Sequence, residues 1–265
     1  YTMPMPIICK PELNEELVNN FKECPNERVY SNPKKLRLLI LEDGGVDLIE
    51  IWEKGILHMF NYGQWKTFLN SIINLFEGIE FFGKNNIIHH DVKLPNIVYN
   101  VNVGEFKFID FGIMITKPDF ISSSVSGVNE LAKSWEYFPK EYSCGNYNAF
   151  KTEKCNKYNK NMSYDNFIKK VSDTFDMYCL CYALHAFFST VEENEIVFKE
   201  CNETEKNNIL SLCKKLRLLL RKYYTDIQNR EVSIKLIRES YIRLLKKHDL
   251  YTNKISKPTP EIVKI

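Results

Sequence analysis

The segment SDTFDMYCLCYALHAFF, residues 172–188, constrains this chain most. It is apolar nearly all round. A helix with no polar face has to be enclosed, so this one is predicted to be central and buried, with helix from Ser172 onward. Cys179 and Cys181 fall within it. Residues two apart on a helix point to different faces, so the pair reads as core thiols rather than as ligands. Amphipathic helices are predicted to follow at Lys206–Tyr224 and Val232–Lys247, and the tail ISKPTPEIVKI to be extended or docked.

Upstream, QWKTFLNSIINLFEGIEFFG (64–83) places Trp65, Phe68, Leu69, Ile72, Ile73, Phe76, Ile79 and Phe82 at helical spacing, with Gly83 as the expected C-cap. IIHHDVKLPNIVYN (87–100) then packs two histidines, an aspartate, a lysine and an asparagine between apolar runs. The runs 96–100 and 105–110, separated by the turn-like Asn100–Gly104, predict a β-hairpin. A helix is expected over Pro11–Glu23, capped by Asn14. A buried strand is expected at Leu36–Leu41, broken by Glu42–Gly45, with a helix starting near Asp47. Residues 113–170 show little apolar periodicity, and SSSVSG at 122–127 reads as plain loop.

A chain of 265 residues with 44% hydrophobic content suits one large domain or two small lobes. Its 36 basic and 34 acidic residues are mixed, and the net charge of +2 gives no reason to expect nucleic acid. No apolar run reaches the roughly 20 residues of a membrane span, and no secretory signal is visible. The eight cysteines are irregularly spaced without a CxxC pair, which favours free thiols in a reducing compartment over a disulfide framework. The expected location is therefore intracellular and cytoplasmic. Abundant Asn, Lys, Ile and Tyr suggest an AT-rich genome.

The order helix, polar loop, hairpin, Asp110-Phe111-Gly112 resembles the core of the eukaryotic-like serine/threonine protein-kinase family. His89-His90-Asp91-Val92-Lys93-Leu94-Pro95-Asn96 is similar to its H-R-D-L-K-x-x-N loop. LLILEDGGVDL resembles the last N-lobe strand and hinge, SWEYFPKE a degraded A-P-E ending at Glu141, SDTFDMY the helix whose Asp173 braces the catalytic loop, and DIQNR the site of Arg230, which pairs with Glu141 in such folds. The resemblance implies an α+β, protein-kinase-like fold with an incomplete or reduced β-rich N-lobe and a mainly α-helical C-lobe. Residues 1–43 correspond to the partial N-lobe and hinge approach and 44–250 to the C-lobe. Within it lie a catalytic loop at 89–96, an activation segment at 110–141 and an insert at 142–170; a tail follows at 251–265.

The same resemblance implies ATP and Mg²⁺ as cofactors and a protein serine or threonine as acceptor. Phosphoryl transfer asks for positioning and charge neutralisation. Asp91 would orient the substrate hydroxyl, and Lys93 would meet charge on the γ-phosphoryl group. Asn96 and Asp110 would hold Mg²⁺, which prefers oxygen ligands, and Gly112 would permit the turn after Asp110. Leu41 would be the gatekeeper, with Glu42–Gly44 the hinge against adenine. Asp47 would meet the ribose and Val98 would lie beneath the adenine. His89 reads as a support for the loop.

The chain also departs from the family pattern. His90 replaces an arginine that usually grips a phosphate on the activation segment, which implies activity independent of that phosphorylation. No G-x-G-x-x-G and no V-A-I-K-like lysine occurs upstream of Leu36, and the regulatory-helix glutamate has only Glu15 or Glu16 as candidates. The stretch between Glu141 and Asp173 is long, either a docking insert for a protein partner or a tolerated surface loop. Two rivals stay open: a pseudokinase scaffold that binds partners without catalysis, and a small-molecule kinase. The trimmed motifs resemble kinases of large DNA viruses, which would place the protein in host cytoplasm or virion.

Overall fold

A computed structural model describes residues 7–10, 15, 19, 35, 37–40, 42–126, 136–193 and 198–253. The chain forms two compact units, Thr2–Gly44 and Gly45–Ile265. The fold class is α+β, mainly helical with small antiparallel sheets.

In the smaller unit, β1 (Ile7–Cys9) and β2 (Leu38–Ile40) pair antiparallel with Ile8 opposite Leu39. The strand expected at Leu36–Leu41 begins at Leu38, after Arg37, and Ile40 is exposed rather than buried; Leu36 lies outside the described residues. Successive strand residues face opposite sides, and Ile40 lies on an open side of the ribbon. Glu15 and Asn19 are helical and exposed; Asn14, Glu16 and Leu41 lie outside the described residues.

The larger unit is built around one long central helix, Tyr164–Glu193 (α6). Its elements are β3 (Val46–Asp47), α1 (Leu48–Glu53), α2 (Tyr62–Lys84), β4 (Ile87–Ile88), β5 (Ile97–Asn100), β6 (Glu105–Phe108), β7 (Ile115–Thr116), α3 (Lys117–Ser126), α4 (Tyr147–Phe150), α5 (Asn156–Asn159), α6 (Tyr164–Glu193), α7 (Glu203–Leu220) and α8 (Ile234–Lys247). α6 is enclosed as its composition requires, and α7, α3 and α2 pack against it. It begins at Tyr164, earlier than Ser172, because Tyr164, Phe167, Ile168 and Val171 extend the buried face by two turns. Burial pushes the Cys179 and Cys181 thiols well above the ordinary thiol value, as core residues.

α2 starts with a capping box. Asn61 Oδ1 accepts from the Gln64 N–H, and Gln64 Oε1 accepts from the Asn61 N–H. Its apolar face drives Trp65, Phe68, Ile72 and Phe76 into the core. Gly83 does not end the helix. Asn85 is the C-cap and Asn86 takes the left-handed turn at φ 54°, a conformation asparagine tolerates, while its carbonyl accepts from the Lys117 N–H at 2.8 Å.

β3, β5 and β6 form one antiparallel sheet in that order, with Ile97 opposite Phe108 and Asp47 opposite Val98. The expected hairpin closes through Asn100, whose side chain accepts from the Asn102 and Val103 N–H groups. Gly45 has φ 97°, and a Cβ there would sit 2.2 Å from the Tyr99 carbonyl oxygen, so only glycine lets the chain approach β5. β4 and β7 form a second ladder that closes the other side of the polar loop.

Two expectations for residues 113–170 are corrected. The serine cluster is largely helix: Lys117–Ser126 forms α3, because Phe120 buries against α6 while Ser123 and Ser124 return their hydroxyls to the Phe120 carbonyl. The segment after Glu141 is a series of short helical turns, and Cys144 and Cys155, both buried, are joined by a disulfide where free thiols were expected. The fold brings together two cysteines whose irregular spacing gave no sign of pairing. No described helix is long and apolar enough to cross a membrane.

Candidate functional site

The polar loop hangs from the central helix. Asp176 on α6 accepts two backbone N–H groups through separate oxygens, from His89 at 2.7 Å and His90 at 3.0 Å. This corrects the expected bracing role of Asp173. Both aspartates lie on one helix face three residues apart, but Asp173 is exposed and pairs with Lys117 at 2.7 Å. The buried position one turn onward takes the loop.

His89 is fully buried and connects the loop to the hairpin. Its Nδ1 accepts from the Asp91 N–H at 3.4 Å and its Nε2 lies 3.1 Å from the Ile109 carbonyl, a pattern that puts the ring proton on Nε2. Phe111 packs on its ring, with centroids 4.8 Å apart.

Asp91, Lys93 and Asn96 meet. Asp91 Oδ2 accepts from Lys93 Nζ at 2.9 Å and from Asn96 Nδ2 at 2.7 Å. Asn96 Nδ2 also donates to the Asp91 carbonyl at 2.9 Å, so both amide hydrogens hold the aspartate and Oδ1 remains as the amide's acceptor. Pro95 lies in the short 3₁₀ turn Leu94–Asn96 that carries the chain from Lys93 into β5.

The hairpin brings the second acidic residue to the same end. The Ile109 N–H donates to the Asn96 carbonyl at 3.1 Å, extending the Ile97–Phe108 pairing by one step and setting Asp110 just beyond it. Asp110 is exposed, with φ 59°, and its Oδ1 accepts from the Gly112 N–H at 3.2 Å. The left-handed residue of this turn is Asp110 itself. A Cβ at residue 112 would lie 3.2 Å from that carboxylate oxygen, so the glycine contributes room. Among the described residues no three His, Cys, Asp or Glu side chains cluster as a metal site. Asn96 Oδ1 and the Asp110 carboxylate are nonetheless hard oxygen donors of the kind Mg²⁺ takes, usually with water and phosphate oxygens completing its shell.

His90, also left-handed at φ 69°, sits in an aromatic box. Its ring stacks on Phe138 at 5.3 Å and meets Phe120, Tyr142 and Phe175. Burial holds its pKa down to about 4, against a hydrogen bond with the Ile113 backbone that pulls it up. At neutral pH it is an uncharged ring in an aromatic wall. The box was not legible in the sequence, since Phe120, Phe138, Tyr142 and Phe175 come from four different segments.

Behind the loop, Arg230 and Glu141 form the expected ion pair, completely buried. Arg230 also donates to Thr174 Oγ1 at 3.0 Å and to the Thr225 carbonyl, and its guanidinium lies 4.5 Å from the centre of the Tyr178 ring. Thr174 and Thr225 are partners that sequence reasoning missed.

The residues expected around a nucleotide fall into two groups. Asp47 and Val98 face each other across β3 and β5; Val98 is buried, and Asp47 Oδ1 caps α1 by accepting from the Ile49 and Glu50 N–H groups. Capping occupies one oxygen of the carboxylate expected to meet a ribose. Glu42, exposed, and Gly44, half-buried, belong to the smaller unit, and Leu41 lies outside the described residues. No protein-family model matches the chain.

Proposed function

We propose that the chain is a serine/threonine protein kinase with a protein-kinase-like fold, transferring the γ-phosphoryl group of ATP to a protein hydroxyl. The state of Asp91 carries the proposal. Its carboxylate is held on one oxygen by Lys93 and Asn96, in a loop suspended from a buried aspartate. Such over-determination of one carboxylate suits a group that must be still when a reactant arrives.

In the proposed reaction the substrate hydroxyl donates to Asp91. Its oxygen forms a bond to the γ-phosphorus as the bond to the β,γ-bridging oxygen breaks. ADP leaves with that electron pair, and the hydroxyl proton passes to Asp91. Lys93 offers a positive charge beside the same carboxylate and would follow the charge onto the transferring oxygens. Asn96 and Asp110 would hold Mg²⁺, which would offset the charge of the phosphates when bound. Leu41, Glu42, Gly44, Asp47 and Val98 remain the proposed nucleotide contacts. The uncharged box around His90 supports activity without a phosphate on the activation segment 110–141, and the insert 142–170, stapled by Cys144–Cys155, offers a surface for a protein partner.

The test incubates the protein with Mg-ATP and a basic protein substrate beside Asp91→Asn. Transfer by the wild type that falls about 10²–10⁴-fold in the variant supports the proposal. Silence in both, with no nucleotide-dependent rise in melting temperature, overturns it in favour of the scaffold.

A further inference from the structure

A groove that none of the residues 89–96 lines lies entirely within the larger unit. It has a volume of about 650 Å³ and runs between the C-terminal end of α2, the first residue of α3, the opening turns of α6 and the residues leading into α8. Among the described residues Lys84, Lys117, Lys169 and Lys170 line it, together with two carboxylates, Glu80 and Asp173. Both carboxylates are already engaged. Glu80 pairs with Lys84 at 2.9 Å and with Arg238 at 2.8 Å, and these cations hold its carboxyl below the usual range despite its partial burial. Asp173 pairs with Lys117. Lys169 and Lys170, adjacent on α6, form no ion pair among the described residues.

The groove therefore carries two uncompensated positive charges on a rigid helix, next to an aliphatic rim. Val232 is exposed there and Ile234 is half-buried. Anion-seeking ammonium groups beside exposed aliphatic side chains call for an occupant that is acidic and aliphatic together. No aromatic ring lines the groove among the described residues, so stacking of bases has no platform there and nucleic acid is the poorer fit. Asn166 at the groove adds an amide able to both donate to and accept from a peptide backbone.

We propose that this groove is a docking site for an acidic, leucine-containing segment of a partner protein. It stands apart from phosphoryl transfer and survives if that activity is absent.

The test titrates the whole protein into a fluorescein-labelled peptide of alternating glutamate and leucine and follows anisotropy. Saturable binding is expected, weakened about tenfold or more in Lys169→Glu/Lys170→Glu. It should be unchanged in Lys214→Glu, an exposed charge reversal on α7, and in Asp91→Asn. If charge reversal lowers the melting temperature, Lys169→Gln/Lys170→Gln serves instead and should weaken binding in the same direction. Equal binding by the double variant overturns the proposal. So does equal binding of a peptide with serine for leucine, or of single-stranded RNA.

Discussion

Two polar clusters occur in the larger unit, and they are built differently. At Glu141–Arg230 the side chains are 3% and 0% exposed, and the guanidinium is further consumed by Thr174 and Thr225. At Asp91–Lys93 the side chains are 10% and 17% exposed, and both holding bonds from Lys93 and Asn96 fall on a single carboxylate oxygen. The first cluster is closed: charge is locked in an interior where a lost partner cannot be replaced by water. The second is held but still reaches solvent, so a reactant can approach the same carboxylate. The first cluster reaches α6 through the bond from Arg230 to Thr174, two residues before the Asp176 that holds the loop of the second.

The widest separation between them is kinetic. Asp91→Asn should lower phosphoryl transfer about 10²–10⁴-fold while its melting temperature stays close to wild type, read from turnover and thermal melts on one preparation. A large loss of stability would show that Asp91 belongs to the closed class. Arg230→Met should do the reverse at its source, costing about 3–5 kcal/mol in urea unfolding because it strands a buried carboxylate. A loss below about 1 kcal/mol would break the distinction.

Acid probes the aromatic wall beside the loop. His90 has its pKa depressed from 6.5 to about 4, so the native state binds fewer protons than the unfolded chain between those values. The contribution is complete above pH 6.5 and is lost as pH falls toward 4. It amounts to about 3 kcal/mol, the difference expected between wild type and His90→Gln in the pH dependence of unfolding free energy. Parallel curves would remove His90 from the wall. The smallest effect is Asp173→Ala. Its pair with Lys117 is partly exposed, so the cost should be about 0–1 kcal/mol, whereas a cost comparable to Arg230→Met would restore Asp173 as the brace of the loop.

Much of the site could be read along the chain because its parts are sequence-local. Asp91, Lys93 and Asn96 lie within one short loop, and the hairpin that returns Asp110 to Asn96 is set by turn residues and alternating burial. Two long-range pairings behaved differently. Glu141–Arg230 was legible through flanking motifs. The choice between Asp173 and Asp176 was not, because both occupy the same face of α6 and only burial tells them apart. The Cys144–Cys155 bond and the box around His90 escaped for a related reason: their members are spread along the chain without periodicity.

By itself the sequence determined that a helix apolar on all sides must be central, that α2 must present one wide apolar face, and that the loop between α2 and the hairpin concentrates polar groups. These follow from the period of hydrophobic residues and the fixed geometry of helix and strand. Only the tertiary structure decided which aspartate carries the loop, which cysteines pair, that residues 117–126 form a helix, and that His90 is an uncharged member of an aromatic wall. Each of these depends on which distant side chains exclude water from a polar group, and exclusion of water is a property of packing that local pattern does not record.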